Sequence, residues 1–121
     1  MNNASDFIDK YLSKPNKTGD GYRLYDIHHE AETTTDMNEL SEYMNSGNYH
    51  IRASAASNPN ATEEQLDKAI GDEYNRVRSN AAANPNATKE QLDKAMGDDY
   101  WSVRRNAKDH PNYDRFFPNG H

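Results

Sequence analysis

The chain has 121 residues, the length of one ordinary domain, and carries a formal net charge of −6. It contains no cysteine, which excludes disulfide bonds, thiolate zinc sites and iron–sulfur clusters. The acidic balance argues against non-specific binding to nucleic acid. Only 33% of the residues are hydrophobic, a share that by itself favours disorder over a packed core.

The first residues, from Met1 to Asp6, contain neither the basic region nor the apolar segment of a secretory signal. No stretch of the sequence approaches the roughly 18 consecutive apolar residues of a membrane-spanning helix. Together with the absence of cysteine, these features predict a cytoplasmic protein that has no membrane partner.

Residues 1–14 predict a short amphipathic helix that is capped by Ser5 or Asn3 and ends before Pro15. Its apolar face is formed by four side chains at helical spacing: Phe7, Ile8, Tyr11 and Leu12.

The segment from Tyr22 to Ala31 fits either a strand or a helix capped by Asp20. We favour the helix, because a helix can dock on the end of a helical stack. Residues 1–35 are therefore interpreted as an N-terminal helical capping segment.

The rest of the chain is a tandem repeat. Of the 24 residues from 58 to 81, 18 recur unchanged at 84–107, an offset of 26 residues. A more divergent copy precedes them, so we divide residues 36–121 into units 36–61, 62–87 and 88–113 and a C-terminal cap, 114–121. A period of this size is typical of stacked, solenoid-like arrays.

Each unit is expected to begin with an α-helix, called helix A. Capping boxes predict its start at Asp36, Thr62 and Thr88, each followed three residues later by Glu or Gln. Gly71 and Gly97 are expected to end two of these helices in the left-handed conformation.

A shorter second helix, helix B, is expected to follow and to end at Asn58-Pro59 or Asn84-Pro85. Asp72 and Asp98 are its expected caps, and its length of about nine residues suggests that part of it is 3₁₀. The predicted core positions are Leu40, Tyr43, Met44, Ile51, Ala55, Leu66, Ala69, Ile70, Val77, Ala81, Leu92, Ala95, Met96, Val103 and Ala107.

The last copy changes at its end. Ala82, Ala83 and Asn84 of the second unit are replaced by polar residues that suit an end cap: Lys108, Asp109 and His110. A fourth copy begins at Tyr113 and stops at Pro118, and Phe116 and Phe117 are expected to fold back over the last unit as a lid.

The repeat units also contain a sequence pattern that is similar to that of a known family. The string Ile51-Arg52-x-x-Ala55-Ala56-x-Asn58-Pro59-Asn60, with Leu66 and Val77-Arg78, resembles the leucine-rich repeat variant family of bacteria over roughly residues 36–112. The resemblance implies a right-handed superhelix of alternating α and 3₁₀ helices, HEAT-like in appearance, that acts as a binding scaffold. The unit of 26 residues is slightly longer than is usual in that family, and the iron–sulfur cluster of one member requires cysteine. The expected fold is an all-α, short right-handed helical solenoid of about three repeats with an N-terminal helical cap.

Arginine recurs at one position of helix B, namely at Arg52, Arg78 and Arg104. The B segments 48–57, 74–83 and 100–109 carry net charges of +1, +2 and +2, whereas the A segment 36–47 carries −3. Two interpretations follow. The arginines either form a basic stripe for a partner, or they pair with Asp72, Asp98 and neighbouring turn residues to join the units. The second interpretation is favoured.

Other residues suggest specific roles. Asn58 and Asn84 are expected to hydrogen-bond within their own turns. The sequence His28-His29-Glu30, with Glu32, has metal-ligand residue types, but adjacent histidines point to different sides of a helix. We therefore favour ordinary surface residues over the alternative, a weak zinc or nickel site.

Trp101 replaces Asn75 in an otherwise copied stretch. It either packs against the C-terminal lid or serves as an exposed anchor for a partner.

The sequence contains no phosphate-binding glycine loop, nucleophile elbow or zinc-helix motif, so we expect neither an enzyme nor a cofactor. The leading hypothesis is a small bacterial or phage regulator or inhibitor that binds another protein along the B-helix face. The alternative is a protein that binds nucleic-acid backbone. The candidate binding residues are Arg52, Arg76, Arg78, Trp101, Arg104, Arg105 and Lys108. The structural repeat positions are Asn58, Pro59, Asn84, Pro85, Leu66, Leu92, Val77 and Val103.

Overall fold

The computed structural model describes residues 24–120, and over this range all regular secondary structure is helical. The helices are α1 (Leu24–Thr33), α2 (Met37–Met44), α3 (Tyr49–Ala56), α4 (Glu63–Ile70), α5 (Asn75–Ala83), α6 (Lys89–Met96), α7 (Trp101–Lys108) and α8 (Tyr113–Phe116). The prediction of an all-α protein is confirmed. The helix predicted over residues 1–14 lies outside the described residues.

The helices lie in two layers. The B helices α3, α5 and α7 pack one on the next, and α1 packs on α3 in the same way. The A helices α2, α4, α6 and α8 form the second layer, and each A helix of a unit also packs on its own B helix. For the described part of the segment from Tyr22 to Ala31, the helix prediction is confirmed and the strand alternative is wrong.

The core lies between the two layers. All fifteen predicted core positions are buried, and the largest exposed fraction among them is 8%, at Met96. One β-branched residue from each B-layer helix forms the centre of this core: Ile27, Ile51, Val77 and Val103. Burying such a side chain contributes about 1.5–3 kcal/mol. The low apolar content therefore suffices to form a core, because the apolar residues of the repeat recur at interior positions.

The capping boxes are confirmed in two units. Oγ1 of Thr62 accepts the amide of Gln65 at 3.1 Å, and Oε1 of Gln65 accepts the amide of Thr62 at 2.9 Å. Thr88 and Gln91 repeat both distances.

The first unit departs from this arrangement. The Asp36 carboxylate accepts the amides of Asn38 and Glu39, but the Asp36 amide donates to Oγ1 of Thr34. The Thr34 hydroxyl therefore accepts the N-cap amide, which is the bond that the Gln side chain accepts in the other two units.

The prediction of left-handed glycines is wrong. Gly71 and Gly97 do cap their helices, but with φ values of −101° and −97°. Asn45 holds the same place in the first unit with φ of −99°. The last turn tightens into 3₁₀-type hydrogen bonds, such as the bond from the Gly71 amide to the Lys68 carbonyl at 3.2 Å. The helix therefore ends without a left-handed residue.

Asp72 and Asp98 do not cap the B helices directly. The N-cap residues are Tyr74 and Tyr100, and neither makes a side-chain capping bond. Oδ1 of Asp72 instead accepts the amide of Tyr74 at 2.9 Å, which shapes the turn before the helix. The B helices are α-helical, and 3₁₀-type bonds occur at their first turns, as from Val77 to Tyr74.

Asparagine side chains join successive units. Oδ1 of Asn58 accepts the amide of Asn60 at 2.8 Å, as predicted for its own turn. Its Nδ2 donates to the carbonyls of Ala31 and Thr34 in the preceding segment, at 3.0 and 2.9 Å. Asn84 forms the same kind of bridge one unit later. These residues therefore connect units in addition to shaping turns.

The C-terminal segment starts a fourth A helix. Phe116 and Phe117 are half-buried against the core, and the ammonium of Lys89 lies 5.8 Å from the Phe117 ring centroid. Lys108 and Asp109 are exposed, as an end cap requires, but His110 is buried with only 4% exposure. The interpretation of His110 as part of a polar outer face is therefore wrong.

Candidate functional site

Two of the three arginines that recur at one position of helix B bind aspartates of the following unit. Nε of Arg52 lies 2.8 Å from Oδ2 of Asp72, and Nη2 lies 3.2 Å from Oδ1. Arg78 and Asp98 repeat this two-point contact with the same distances. The side chains of the two pairs are only 11–16% exposed. The interpretation that these arginines join unit to unit is therefore the one the contacts support.

The electrostatics of these pairs agree with their geometry. The hydrogen bond with Asp72 raises the pKa of Arg52 above its ordinary value, and the bond with Asp98 does the same for the pKa of Arg78. Burial alone raises the pKa of the Asp98 carboxyl, but the bonds from Arg78 and from the Tyr100 amide outweigh burial and lower it. The Arg78–Asp98 pair is thus ionised at neutral pH.

Arg104, the third member, has a different environment. Its Nη1 donates to the Asp98 carbonyl at 2.8 Å, as Nη1 of Arg78 donates to the Asp72 carbonyl at 2.9 Å. Among residues 24–120, no carboxylate pairs with its guanidinium, whereas Arg52 and Arg78 each hold an aspartate. Arg104 is half-buried, as Arg52 and Arg78 are, and its guanidinium is anchored through Nη1.

The other four candidate binding residues, Arg76, Trp101, Arg105 and Lys108, are exposed. Trp101 is 57% exposed and lies next to Tyr100, with ring centroids 6.4 Å apart. The interpretation that Trp101 packs against the C-terminal lid is therefore wrong. Within residues 24–120, Arg105 forms only an exposed pair with Asp109 at 3.4 Å, which contributes little to stability.

The B-helix face also contains an open groove of about 430 Å³, lined by Tyr49, Tyr74, Asn75, Arg76, Ser79, Tyr100 and Ser102. Of these residues only Arg76 belongs to the predicted binding set. Tyr74 and Tyr100 are 43% and 38% exposed at its edge. Their recurrence one unit apart was a usable signal in the sequence, since a large aromatic residue at a helix N-cap satisfies no capping bond.

Two acidic residues directly precede two of the groove's tyrosines in the sequence. Glu73 and Asp99 are exposed in the turns that precede α5 and α7. Oδ1 of Asp99 lies 3.5 Å from Nη2 of Arg78, although the Asp99 side chain is 97% exposed. The surface therefore combines aromatic rings with charges of both signs and is not a uniformly basic stripe.

His28, the first member of the histidine cluster on α1, contacts α3. Nδ1 of His28 lies 3.3 Å from Oγ of Ser54, and its ring centroid is 6.1 Å from that of His50. Within the described chain, its buried Nε2 has no hydrogen-bond partner. His29 is exposed, and Glu30 accepts the Tyr43 hydroxyl at 3.0 Å, so the members of this cluster point to separate surroundings.

Between residues 24 and 120, no group of three or more His, Asp or Glu side chains is arranged to hold a metal ion. No helix in that range is long and apolar enough to cross a membrane. No family model matches the chain, and no curated protein or solved structure matches it significantly. The resemblance to the leucine-rich repeat variant family therefore stays a prediction.

Proposed function

We propose that the chain is a non-enzymatic helical-repeat protein that binds another protein through the exposed part of its B-helix face. The observation that carries this proposal is the groove that Tyr74, Tyr100 and the exposed Arg76 line, with the exposed Trp101 next to Tyr100. Tyrosine, tryptophan and arginine are the residues that most often dominate the binding energy of protein interfaces.

The pairing of two of the arginines with aspartates supports the same proposal. Arg52 and Arg78 are neutralised inside the stack by aspartates, so they contribute little attraction to a phosphate backbone. The exposed acidic residues Glu73 and Asp99 reduce it further. A mixed, partly aromatic surface suits a protein partner better than a uniformly charged polymer.

In this proposal the chain belongs to the leucine-rich repeat variant group of solenoids and acts in the cytoplasm of a bacterium or of a cell infected by a phage. Its small size suits a regulator or inhibitor of a larger assembly. The binding surface is the groove between α5 and α7 together with Trp101.

The test is site-specific photo-crosslinking in cells, with the photoreactive residue placed at Asn75 in the groove or, as a control, at Glu64 on the exposed A-helix side. After nuclease digestion, we expect one defined protein attached at position 75 and none at position 64. With that partner purified, Tyr100→Ala and Arg76→Ala should each weaken binding, whereas Lys68→Ala on α4 should not. Equal labelling at both positions would contradict the proposal.

Binding to nucleic-acid backbone is the second candidate, because Arg105 and Lys108 are exposed beside an aromatic ring on which a base can stack. A steep fall of DNA or RNA affinity with salt, together with crosslinks lost on nuclease treatment, would favour it over the first.

A further inference from the structure

Each B helix has a stripe of residues, at positions i, i+3, i+4 and i+7, that faces the following B helix. On α3 the stripe is Tyr49, Arg52, Ala53 and Ala56, and α5 covers it. Ala53 and Ala56 are 2% and 0% exposed, and the Ala53 carbonyl accepts Nδ2 of Asn80 at 2.9 Å. On α7 the same stripe is Trp101, Arg104, Arg105 and Lys108, and no following B helix covers it in the described part of the chain.

The covered stripe on α3 recognises a short sequence in a specific way. Arg52 holds the carboxylate of Asp72 with two bonds, at 2.8 and 3.2 Å. The ring of Tyr49 stacks on that of Tyr74, with centroids 4.3 Å apart and planes 11° apart, and the Arg52 guanidinium lies 5.5 Å from the Tyr74 centroid. One aromatic residue and one arginine therefore bind the sequence Asp-x-Tyr.

The bound sequence is also shaped for this contact. Oδ1 of Asp72 accepts the amide of Tyr74 at 2.9 Å, which fixes the carboxylate relative to the ring. Asp98 and Tyr100 adopt the same turn with the same distance. There Arg78 holds the aspartate, but Asn75 supplies no ring for stacking. The full aromatic-plus-arginine arrangement therefore occurs at α3 and is absent from α5.

Helix α7 restores the full arrangement. Trp101 stands where Tyr49 stands on α3, and Arg104 stands three residues later, where Arg52 stands. Nη1 of Arg104 is anchored on the Asp98 carbonyl at 2.8 Å, just as Nη1 of Arg52 is anchored on the Ser46 carbonyl at 2.8 Å. The guanidinium is thus held as in the occupied copies, while the indole is 57% exposed.

We propose that Trp101 and Arg104 form a docking site for a segment of a partner protein in which an acidic residue precedes an aromatic residue by two positions. The carboxylate is held by Nε and Nη2 of Arg104, and the aromatic ring stacks on the indole of Trp101. This inference rests on the proposed function and specifies the chemistry of the partner.

The rest of the stripe indicates a short segment and not another stacked helix. Where α3 and α5 have Ala53 or Ser79 and Ala56 or Ala82, α7 has Arg105 and Lys108. The small residues allow a close helix–helix approach, whereas two long cationic side chains prevent it. The same cations attract an acidic segment, although Asp109 partly offsets Arg105.

The inference is tested by selecting a displayed library of random peptides on the full chain and, separately, on Trp101→Asn and Arg104→Gln variants. Trp101→Asn introduces the residue that α5 already carries at this position, so a folded protein is expected, and circular dichroism verifies it for both variants. We expect the wild-type chain to enrich peptides with Asp or Glu two positions before Tyr, Phe or Trp. Fluorescence anisotropy of a labelled selected peptide should show about tenfold weaker binding to each variant, and about tenfold weaker binding when its Asp is changed to Asn.

Other outcomes overturn the inference. If the selected peptides depend on Tyr100 and Arg76 but not on Trp101 and Arg104, the docking site is wrong and the proposed function stands. If no pattern is enriched, or if duplex DNA or a second copy of the chain occupies the α7 stripe, the acidic–aromatic segment is the wrong occupant. Failure of the photo-crosslinking to yield a protein would remove the proposed function itself.

Discussion

Nε2 of His110 lies 2.7 Å from the carbonyl oxygen of Asn84, one unit earlier in the chain. Its Nδ1 accepts the amide of Asn112 at 3.0 Å. The neutral ring, with its proton on Nε2, thus donates to the preceding unit and accepts within its own turn. The carboxamide of Asn84 does the same with the Asn58 carbonyl and the Asn86 amide, both at 2.9 Å.

This equivalence predicts the effects of substitution at His110. His110→Asn should change the free energy of unfolding by less than about 1 kcal/mol, because asparagine supplies the same donor and acceptor. His110→Ala should cost about 1–3 kcal/mol, since it leaves the Asn112 amide without its partner and leaves the Asn84 carbonyl with only the Ala87 amide. Urea denaturation measures both, and equal losses for the two variants would show that the hydrogen bonds contribute nothing.

Substitution of Gly71 tests the finding that helix A ends without a left-handed residue. Its φ of −101° is accessible to any residue, and an added Cβ would meet the Lys68 carbonyl and the Lys94 ammonium nitrogen at 3.7 Å, an ordinary contact distance. Gly71→Ala should therefore stabilise the protein by about 0.5 kcal/mol by restricting the unfolded chain. A loss of about 1 kcal/mol in thermal or urea denaturation would instead indicate a left-handed residue.

His28 predicts a pH dependence of stability. Burial lowers the pKa of His28 below its ordinary 6.5, and the neighbouring His50 and Arg76 act in the same direction while Glu32 opposes them. Because the unfolded chain binds the proton more readily, stability is complete above pH 6.5 and falls as the pH drops through the lowered pKa.

The measurement is the free energy of unfolding of wild type and His28→Gln between pH 7.5 and about 5. We expect the wild type to lose more stability than the variant on acidification. A wild type that gains stability relative to the variant as the pH falls would mean that the folded state favours the charged ring.

The sequence predicted the interior more completely than the surface. The repeated positions of Leu66 and Val77 identify core residues without knowledge of the packing angle, because stacking alone requires them to be buried. The pairing of Arg52 with Asp72 was also the favoured prediction, since an arginine that recurs next to a core residue needs a carboxylate nearby.

The groove could not be predicted in the same way. The stacking of Tyr49 on Tyr74 depends on the rise and rotation between units, which the sequence does not contain. The conformation of Gly71 was misjudged from residue type alone. The corrective signal was Asn45, which holds the equivalent place in the first unit and shows that glycine is not required there.

The contacts of Arg52 and Arg78 indicate that these arginines hold the stack together, and we propose that partner binding falls to other, exposed side chains. A double-mutant cycle on Arg78 and Asp98, with Arg78→Gln, Asp98→Asn and the double variant unfolded in urea at pH 7, tests it most directly. We expect a coupling free energy of about 1–2 kcal/mol, because the two-point contact is mostly shielded from water. A coupling near zero would contradict it and would return Arg78 to the set of residues available for a partner.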